Sequence, residues 1–431
     1  MRIVTCVVMI LIGAPVIAAA QDRGLKWTFN FDATWGTFGF GNSLFQDPRE
    51  NTPIDLSDQW FEGAMKGALN GVFTLASTSQ VYGTASAVGE RTYGSAPRLV
   101  GPDLSSFGAE EFSIGWRSGK SIGNSENLVD VVAGRVPYRI GHGMLVADGS
   151  AEGGSRGGYW SNARKAFELG VIARLSPGPN RIEAFYLDRD DLPEHDIGTR
   201  LAGLNYEFAP AEHSTIGASW FRTFANDPDA LRRDGMNVFN ARVYSEPPML
   251  RGLGVEAEYA AERNGNLVAS NAWTIAPSLS IEAAWSPRVS YRYAFFQGDD
   301  PASAEDEAFD SLMPGFHDWG TWFQGEIVGG YALANSNLIS HRARIHVEPR
   351  DTISGGLMLY KFNIDQTATF EDGVTSRELA AEADLYVDWQ VVERLTASFV
   401  VAFADPQAAA EQAYGRTRSF RYGLVFLAYK Y

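Results

Sequence analysis

The sequence has few of the residues on which thiol, zinc and hydrolytic sites depend. It has one cysteine, Cys6, and six histidines, with no HExxH motif or zinc-ligand spacing among them. Cys6 lies in the apolar N-terminal stretch, and nothing in the sequence suggests disulfide or thiol chemistry. His341 beside Ser340 is the nearest approach to a hydrolase pair, but neighbours in a strand point to opposite faces. We therefore expect no enzymatic activity, no cofactor and no specific metal site.

Basic residues and long apolar runs are also scarce. Lys and Arg number 36 against 52 Asp and Glu, giving a formal net charge of −16, which argues against a nucleic-acid partner. After residue 20 no apolar run is long enough for a transmembrane helix. Residues 1–20 combine Arg2, an apolar stretch and small residues ending at Ala20. This pattern predicts a secretory signal peptide over 1–20 and one exported domain over 21–431.

The C-terminus, by contrast, carries a strong signal. Val425, Leu427, Tyr429 and Tyr431 fall on one face of a strand that ends on an aromatic residue. Such a strand is typical of the last strand of an outer-membrane β-barrel, which closes the sheet and faces lipid. We expect the barrel-assembly machinery to recognise it.

The same alternation recurs along the chain. Trp27, Phe29 and Phe31 alternate with polar residues, and similar segments begin near residues 204, 255, 289 and 379. Many run about ten residues, the length of a tilted strand that crosses a bilayer, and only a closed barrel satisfies the hydrogen bonds of a sheet in lipid. We predict an all-β, transmembrane antiparallel barrel of about eighteen strands, or sixteen, in a Gram-negative outer membrane.

Connector lengths agree with this fold, because short periplasmic turns alternate with long external loops in such barrels. The long links expected are 41–57, 92–108, 141–162, 190–198, 226–234, 299–337, 365–375 and 405–416. One further tight external turn is needed for an even strand number.

Two segments resemble the alginate-export family of outer-membrane barrels. The first begins at Pro287 and contains Gly298-Asp299-Asp300-Pro301, Phe309-Asp310 with Leu312 and Pro314-Gly315, and Asn337-Leu338. The second is the glycine-rich stretch from Gly134 to Trp160. The resemblance implies an eighteen-stranded monomeric barrel with a strongly basic lumen that passes a secreted anionic polysaccharide.

Face parity assigns eight basic side chains to the lumen as a substrate path. They are Arg164, Arg174, Arg242, Arg288, Arg292, Arg342, Arg344 and Lys361. Acidic residues point inward on the same reasoning: Glu168, Glu183, Glu256, Glu258, Glu282, Glu382, Asp384 and Asp388. Guanidinium groups suit a polyanion path, but a ladder of internal ion pairs explains the same pattern. A mixed lumen departs from the strongly basic pore of the family.

Two long loops offer further alternatives. The glycine-rich loop 141–159 either folds into the barrel and narrows it or stays on the surface. The loop 299–337 carries an acidic run and a possible short helix over 319–333. Its carboxylates are possible Ca²⁺ ligands, but their spacing matches no calcium loop. A lip that bridges to lipopolysaccharide through divalent ions is the other interpretation.

Three hypotheses follow. The first is an export channel for an anionic, alginate-like polysaccharide or oligosaccharide. The second is a general or solute-selective porin for uptake of small solutes, and the third is a plugged structural or adhesive surface barrel. The expected partners are outer-membrane lipid and lipopolysaccharide together with the transported solute, and a monomer suffices.

Overall fold

The structure is a computed structural model that describes residues 24–431 with several gaps. The gaps are 47–56, 76–77, 95, 97–103, 124, 152, 162, 228–229, 248, 316–323 and 416. The predicted signal peptide lies outside the described residues.

Eighteen strands form one closed antiparallel sheet, in which each strand pairs with its neighbours along the chain. The first nine are β1 (Leu25–Gly41), β2 (Ser57–Thr74), β3 (Gln80–Tyr93), β4 (Ser105–Arg117), β5 (Val129–Pro137), β6 (Ala166–Leu175), β7 (Asn180–Asp188), β8 (Arg200–Ala211) and β9 (Ser214–Phe224). The remainder are β10 (Asn237–Ser245), β11 (Leu253–Asn264), β12 (Val268–Ser280), β13 (Arg288–Phe296), β14 (Leu338–Arg350), β15 (Ile353–Ile364), β16 (Glu378–Val392), β17 (Leu395–Pro406) and β18 (Phe420–Lys430). The predicted fold class and the count of eighteen strands are confirmed.

The barrel closes where its first strand meets its last. β1 pairs with β18 from Asp32 opposite Lys430 to Gly41 opposite Arg421. The backbone of Tyr431 extends this pairing, since it exchanges hydrogen bonds of 3.0 and 2.8 Å with Phe31. The C-terminal strand therefore has the closing position that its sequence predicts.

Side chains alternate across the barrel wall. On β1, Trp27, Phe29 and Trp35 are exposed on the outer surface, whereas Phe38 is buried inside. Because successive side chains of a strand point to opposite faces, this apolar outer band faces lipid and the other face lines the lumen.

One end of the barrel has short turns and the other has the long links. The predicted tight external turn joins β11 to β12 between Asn264 and Val268. Two periplasmic links of moderate length, 118–128 and 246–252, were not predicted as turns.

Helical structure is confined to the links. A 3-10 turn spans Ser43–Phe45, a π-helical turn Val328–Ala332, and the short helix α1 Ala408–Tyr414. The π-helical turn lies within the predicted helix 319–333, whose first residues fall outside the described ranges; α1 was not predicted. No helix in the described part of the chain is long and apolar enough to cross a membrane.

An aromatic core lies inside the barrel beside the β1–β2–β18 wall. Phe38 stacks on Trp60 with ring centroids 4.5 Å apart. Two residues from loops complete the cluster: Trp160 lies 5.8 Å from Phe38, and Tyr331 lies 6.5 Å from Trp60. Loops therefore fill part of the interior.

Candidate functional site in the barrel lumen

The link between β5 and β6, residues 138–165 and here called loop A, crosses the interior. Its Tyr138 donates a hydrogen bond of 2.9 Å to Glu183 on β7. Further along, the His142 ring stacks on Tyr244 of β10 with centroids 3.7 Å apart. Burial by the barrel raises the pKa of Tyr138, and the nearby Glu183 carboxylate adds to the rise. The hydroxyl thus remains a protonated donor.

Loop A then returns to the opposite wall. The backbone N–H groups of Trp160 and Ser161 both donate to one carboxylate oxygen of Glu62 on β2, each at 2.8 Å. The indole N–H of Trp60 donates to the other oxygen at 2.8 Å. Since Glu62 is 2% exposed on the inner face of the wall, the loop is held inside the barrel. Of the two alternatives for the glycine-rich loop, the structure shows the inward fold.

One position in loop A shows why the loop is rich in glycine. Gly141 has φ of +53°, and a Cβ there would lie 2.6 Å from the Tyr244 hydroxyl oxygen and 2.7 Å from Arg242 Cδ. Both the backbone conformation and the close approach to the wall therefore require glycine.

The link between β13 and β14, residues 297–337 and here called loop B, also enters the lumen. The N–H groups of Ile327 and Val328 donate to the two carboxylate oxygens of Glu382 on β16, each at 2.8 Å. The wall carboxylates Glu62 and Glu382 thus have the same role, each accepting two consecutive backbone N–H groups of an inner loop.

The two loops pair with each other. Val146 and Met313 form a parallel β-bridge. Met313 N–H donates to the carbonyl of Leu145 at 3.0 Å, and Ala147 N–H donates to the carbonyl of Met313 at 2.9 Å. Loops A and B therefore form one hydrogen-bonded structure inside the barrel, which narrows the passage.

Ion pairs fix the loops at the external side. Asp190, in the link after β7, contacts Arg135 at 2.5 Å and Arg156 of loop A at 2.8 Å. Burial opposes ionisation of Asp190, but hydrogen bonding and charge attraction from the two arginines lower its pKa. In loop B, burial likewise opposes the ionisation of Asp310, and its pairing with Arg233 at 2.6 Å lowers its pKa.

Most of the predicted basic lumen residues do lie on the inner side of the wall. Four of them have carboxylate partners: Arg164–Glu90 at 3.0 Å, Arg174–Glu183 at 2.8 Å, Arg242–Glu207 at 2.8 Å and Arg288–Glu246 at 2.7 Å. For these four, the internal ion pairs expected as one alternative are present.

A cluster of arginines lines the neighbouring strands β13 and β14; we call Arg288, Arg292, Arg342 and Arg344 the basic wall. Arg292 lies directly opposite Arg342 in the register, and the two are 2% and 3% exposed. Arg344 donates from Nε to the Tyr386 hydroxyl at 3.0 Å. Two strands thus concentrate positive charge at one side of the lumen.

Lys361 belongs to the predicted basic set but does not face the lumen. It shares the outer face of β15 with the exposed Leu359 and pairs with Glu378 at 2.7 Å, so it does not line the lumen. The assignment was wrong because both faces of this strand are apolar. The inner face is apolar because loop B covers it: Phe362 packs so close to Gly325 that a Cβ there would lie 3.0 Å from its ring.

The acidic residues and His341 follow the predicted faces with one exception. Seven of the eight share the inner face of their strands: Glu168, Glu183, Glu256, Glu258, Glu382, Asp384 and Asp388. Glu282 instead lies exposed in the turn between β12 and β13. His341 faces outward and contacts the Tyr291 hydroxyl at 2.7 Å, whereas Ser340 is buried inside.

The acidic residues of loop B accept hydrogen bonds from backbone N–H groups of the same loop. Asp299 accepts from the N–H of Glu307 and Asp306 from that of Ala308, each at 3.0 Å. Within the described residues, no group of three or more His, Cys, Asp or Glu side chains is arranged to hold a metal ion. These carboxylates thus have a local structural role.

The anchoring role of Glu62 was missed at the sequence level. Its position in the alternating segment Trp60-Phe61-Glu62 gives a signal, because a carboxylate beside Trp60 on the inner face needs hydrogen-bond donors. The pattern does not say which loop supplies them.

Solved structures with the same barrel are known. OccAB2 of Acinetobacter baumannii has a TM-score of 0.60 at 10% identity, covering 94% of this chain and 98% of its own. OccK5 (OpdH) of Pseudomonas aeruginosa has a TM-score of 0.58 at 10% identity, covering 93% and 97%. OpdK of Pseudomonas aeruginosa, solved with vanillate, has a TM-score of 0.56 at 12% identity, covering 94% and 98%. No family model and no curated protein matches the chain.

These findings correct the predicted resemblance. The structural neighbours are Occ and Opd porins of the OprD family, not alginate-export proteins. At this identity the likeness is one of fold. The eighteen-stranded barrel and its apolar outer band agree with the predicted location, a Gram-negative outer membrane. The chain has the eighteen-stranded barrel fold of these porins.

Proposed function

We propose that the protein is a solute-selective channel for uptake of small organic anions, the class of the second hypothesis above. The pairing of loops A and B through Val146 and Met313 carries this proposal. A lumen crossed by two hydrogen-bonded loops suits a small solute better than a polymer chain, so the structure favours a porin over polysaccharide export.

The basic wall supplies the chemistry for an anion. A guanidinium is always charged and presents a planar fork of donors that matches a carboxylate. Arg292 and Arg342, directly opposite on β13 and β14, place two such groups side by side. A carboxylate that passes along this wall is attracted by the positive charge of these guanidinium groups. We assign Arg344 to the same path, whereas Arg288 pairs with Glu246 at the periplasmic end of the wall.

The other inward arginines have a different role in this proposal. Arg164, Arg174 and Arg242 pair with wall carboxylates, so their charge is balanced locally. They stabilise the wall and the loop anchors and contribute little to selectivity. The inner face is therefore mixed in charge, and β13 and β14 together carry four of its arginines.

One structural neighbour suggests the class of solute. OpdK was solved with vanillate, an aromatic carboxylate. The arginines of the basic wall and the two loops inside the barrel fit a solute of that charge, and monocarboxylates are our first candidates.

Uptake into proteoliposomes tests the proposal with a matched pair of solutes. Benzoate and benzamide have nearly the same shape, and only benzoate carries charge. We expect benzoate to enter roughly ten times faster, since hydrogen bonds to a charged partner contribute about 1.5–3 kcal/mol. Equal rates for the two would contradict selection of anions. If uronate oligomers entered as fast as benzoate, the result would support polysaccharide transport. If neither solute entered, the result would support a plugged barrel.

A further inference from the structure

Three residues form a polar row on the outer surface of the barrel, away from the lumen. Asn237 of β10 lies directly opposite Arg222 of β9 on one side and Arg263 of β11 on the other. All three share the outward face of their strands, and both arginines are exposed. Because strands lie about 4.8 Å apart, the two arginine Cα atoms are roughly 10 Å apart. We call these residues the outer arginine row.

The row lies at the external end of the lipid-facing band. Directly below it, Trp220 and Phe239 face outward and are 42% and 48% exposed. Aromatic side chains of this kind occupy the membrane–water interface in barrels. The row is thus at the level where an outer-leaflet lipid presents its headgroup.

Among the outward-facing residues of β9, β10 and β11, charged side chains lie only at the external end. Near the periplasmic end of the same strands the outward residues are Ile216, Val243 and Val255, all uncharged. A general demand for solubility or interface anchoring would place charge at both ends. The asymmetry points to a partner in the external leaflet.

The two arginines are not neutralised by carboxylates. Arg263 donates to the backbone carbonyls of Glu262 and Ser270 at 2.7 and 2.6 Å and to the Asn271 side chain at 3.0 Å. Arg222 packs over the Phe224 ring at 5.9 Å. Neither has an ion-pair partner among the described residues, whereas the outward Lys361 pairs with Glu378.

We propose that the outer arginine row binds a phosphate group of an outer-leaflet glycolipid, the lipid A portion of lipopolysaccharide. Arg222 and Arg263 approach the phosphate from two sides, and the Asn237 amide between them donates a hydrogen bond. Guanidinium groups match phosphate oxygens as bidentate donors. The acyl chains lie against the aromatic residues below, so one lipid satisfies both the charged and the apolar parts of this surface. The site is independent of the lumen.

Lipid binding to the purified, folded barrel in detergent tests this site. The probes are bisphosphorylated lipid A and the same lipid after enzymatic removal of its phosphates. We expect the phosphorylated lipid to bind about ten times more tightly, since both arginines attract its phosphate groups. This comparison uses the unchanged protein and does not depend on the folding of a variant.

Variants then test whether this lipid preference depends on the two arginines. The double variant R222Q/R263Q should lose the preference for the phosphorylated lipid. R394Q is the matched control, because Arg394 lies over the Tyr431 ring at the periplasmic rim and its loss should leave the preference intact. No preference in the unchanged protein, or a preference that survives R222Q/R263Q, would overturn the proposal. Displacement of the lipid by millimolar inorganic phosphate would also overturn it, because the site would then recognise a free anion.

Discussion

Val146 of loop A and Met313 of loop B lie side by side in a parallel β-bridge inside the barrel. The two residues are far apart in sequence, and each belongs to a loop with its own anchors on the wall. Their contact joins two separately fixed loops inside the lumen.

A disulfide should form at this contact without changing the channel. The only cysteine, Cys6, lies in the predicted signal peptide, so V146C/M313C introduces the only thiols of the exported domain. Adjacent strand residues satisfy the Cα separation of a disulfide. We expect oxidation to change gel mobility and to leave conductance as it was, because the cross-link fixes the native arrangement. A conductance that falls sharply on oxidation and recovers on reduction would show that the loops separate during transport.

Removing the anchor of loop A should widen the lumen. Glu62 accepts the N–H groups of Trp160 and Ser161, and E62A leaves both donors without that acceptor. A buried donor that loses its partner costs about 1–3 kcal/mol, enough to release this part of the loop. Single-channel recordings should show larger and noisier currents.

The matched control for this change is E378A, which removes an exposed carboxylate paired with Lys361 on the outer face. Its conductance should match that of the unchanged protein. If E62A and E378A behave alike, Glu62 does not hold the loop in place.

The Asp190 anchor predicts the response to acid. Because its folded pKa lies below the ordinary value of 3.8, the stability that it contributes is fully present above pH 3.8 and is lost as the pH falls through the folded pKa. The contribution of Asp190 should therefore be lost only below about pH 4, where conductance should become noisier. D190N should already be noisy at neutral pH, with this acid transition absent. An opening between pH 5 and 7 would point to a different titrating group.

The sequence was sufficient to predict the barrel wall but not the path of the loops inside it. Alternation in segments such as Trp27 to Trp35 has only one solution in lipid, a closed barrel, whereas the connectors left the count at eighteen or sixteen strands. Local parity also placed Arg292 and Arg342 on the inner face, because the outward positions beside them are Val289, Tyr291 and Ile345.

Side-chain alternation did not identify the lipid-facing side of the strand whose inner face is covered by a loop. β15 has Met358, Tyr360 and Phe362 on one face and Leu357 and Leu359 on the other, so its pattern does not show which side faces lipid. The path of the inner loops is likewise absent from local patterns, since it depends on hydrogen bonds such as those from Ile327 and Val328 to Glu382.

In the proposed function, Arg292 and Arg342 make the channel select anions. The most direct test is the reversal potential of single channels under a potassium chloride gradient. The unchanged protein should favour chloride, R292Q/R342Q should lose most of this preference, and K361Q should keep it because Lys361 faces outward. A cation-selective channel, or a double variant with the selectivity of the unchanged protein, would contradict the account.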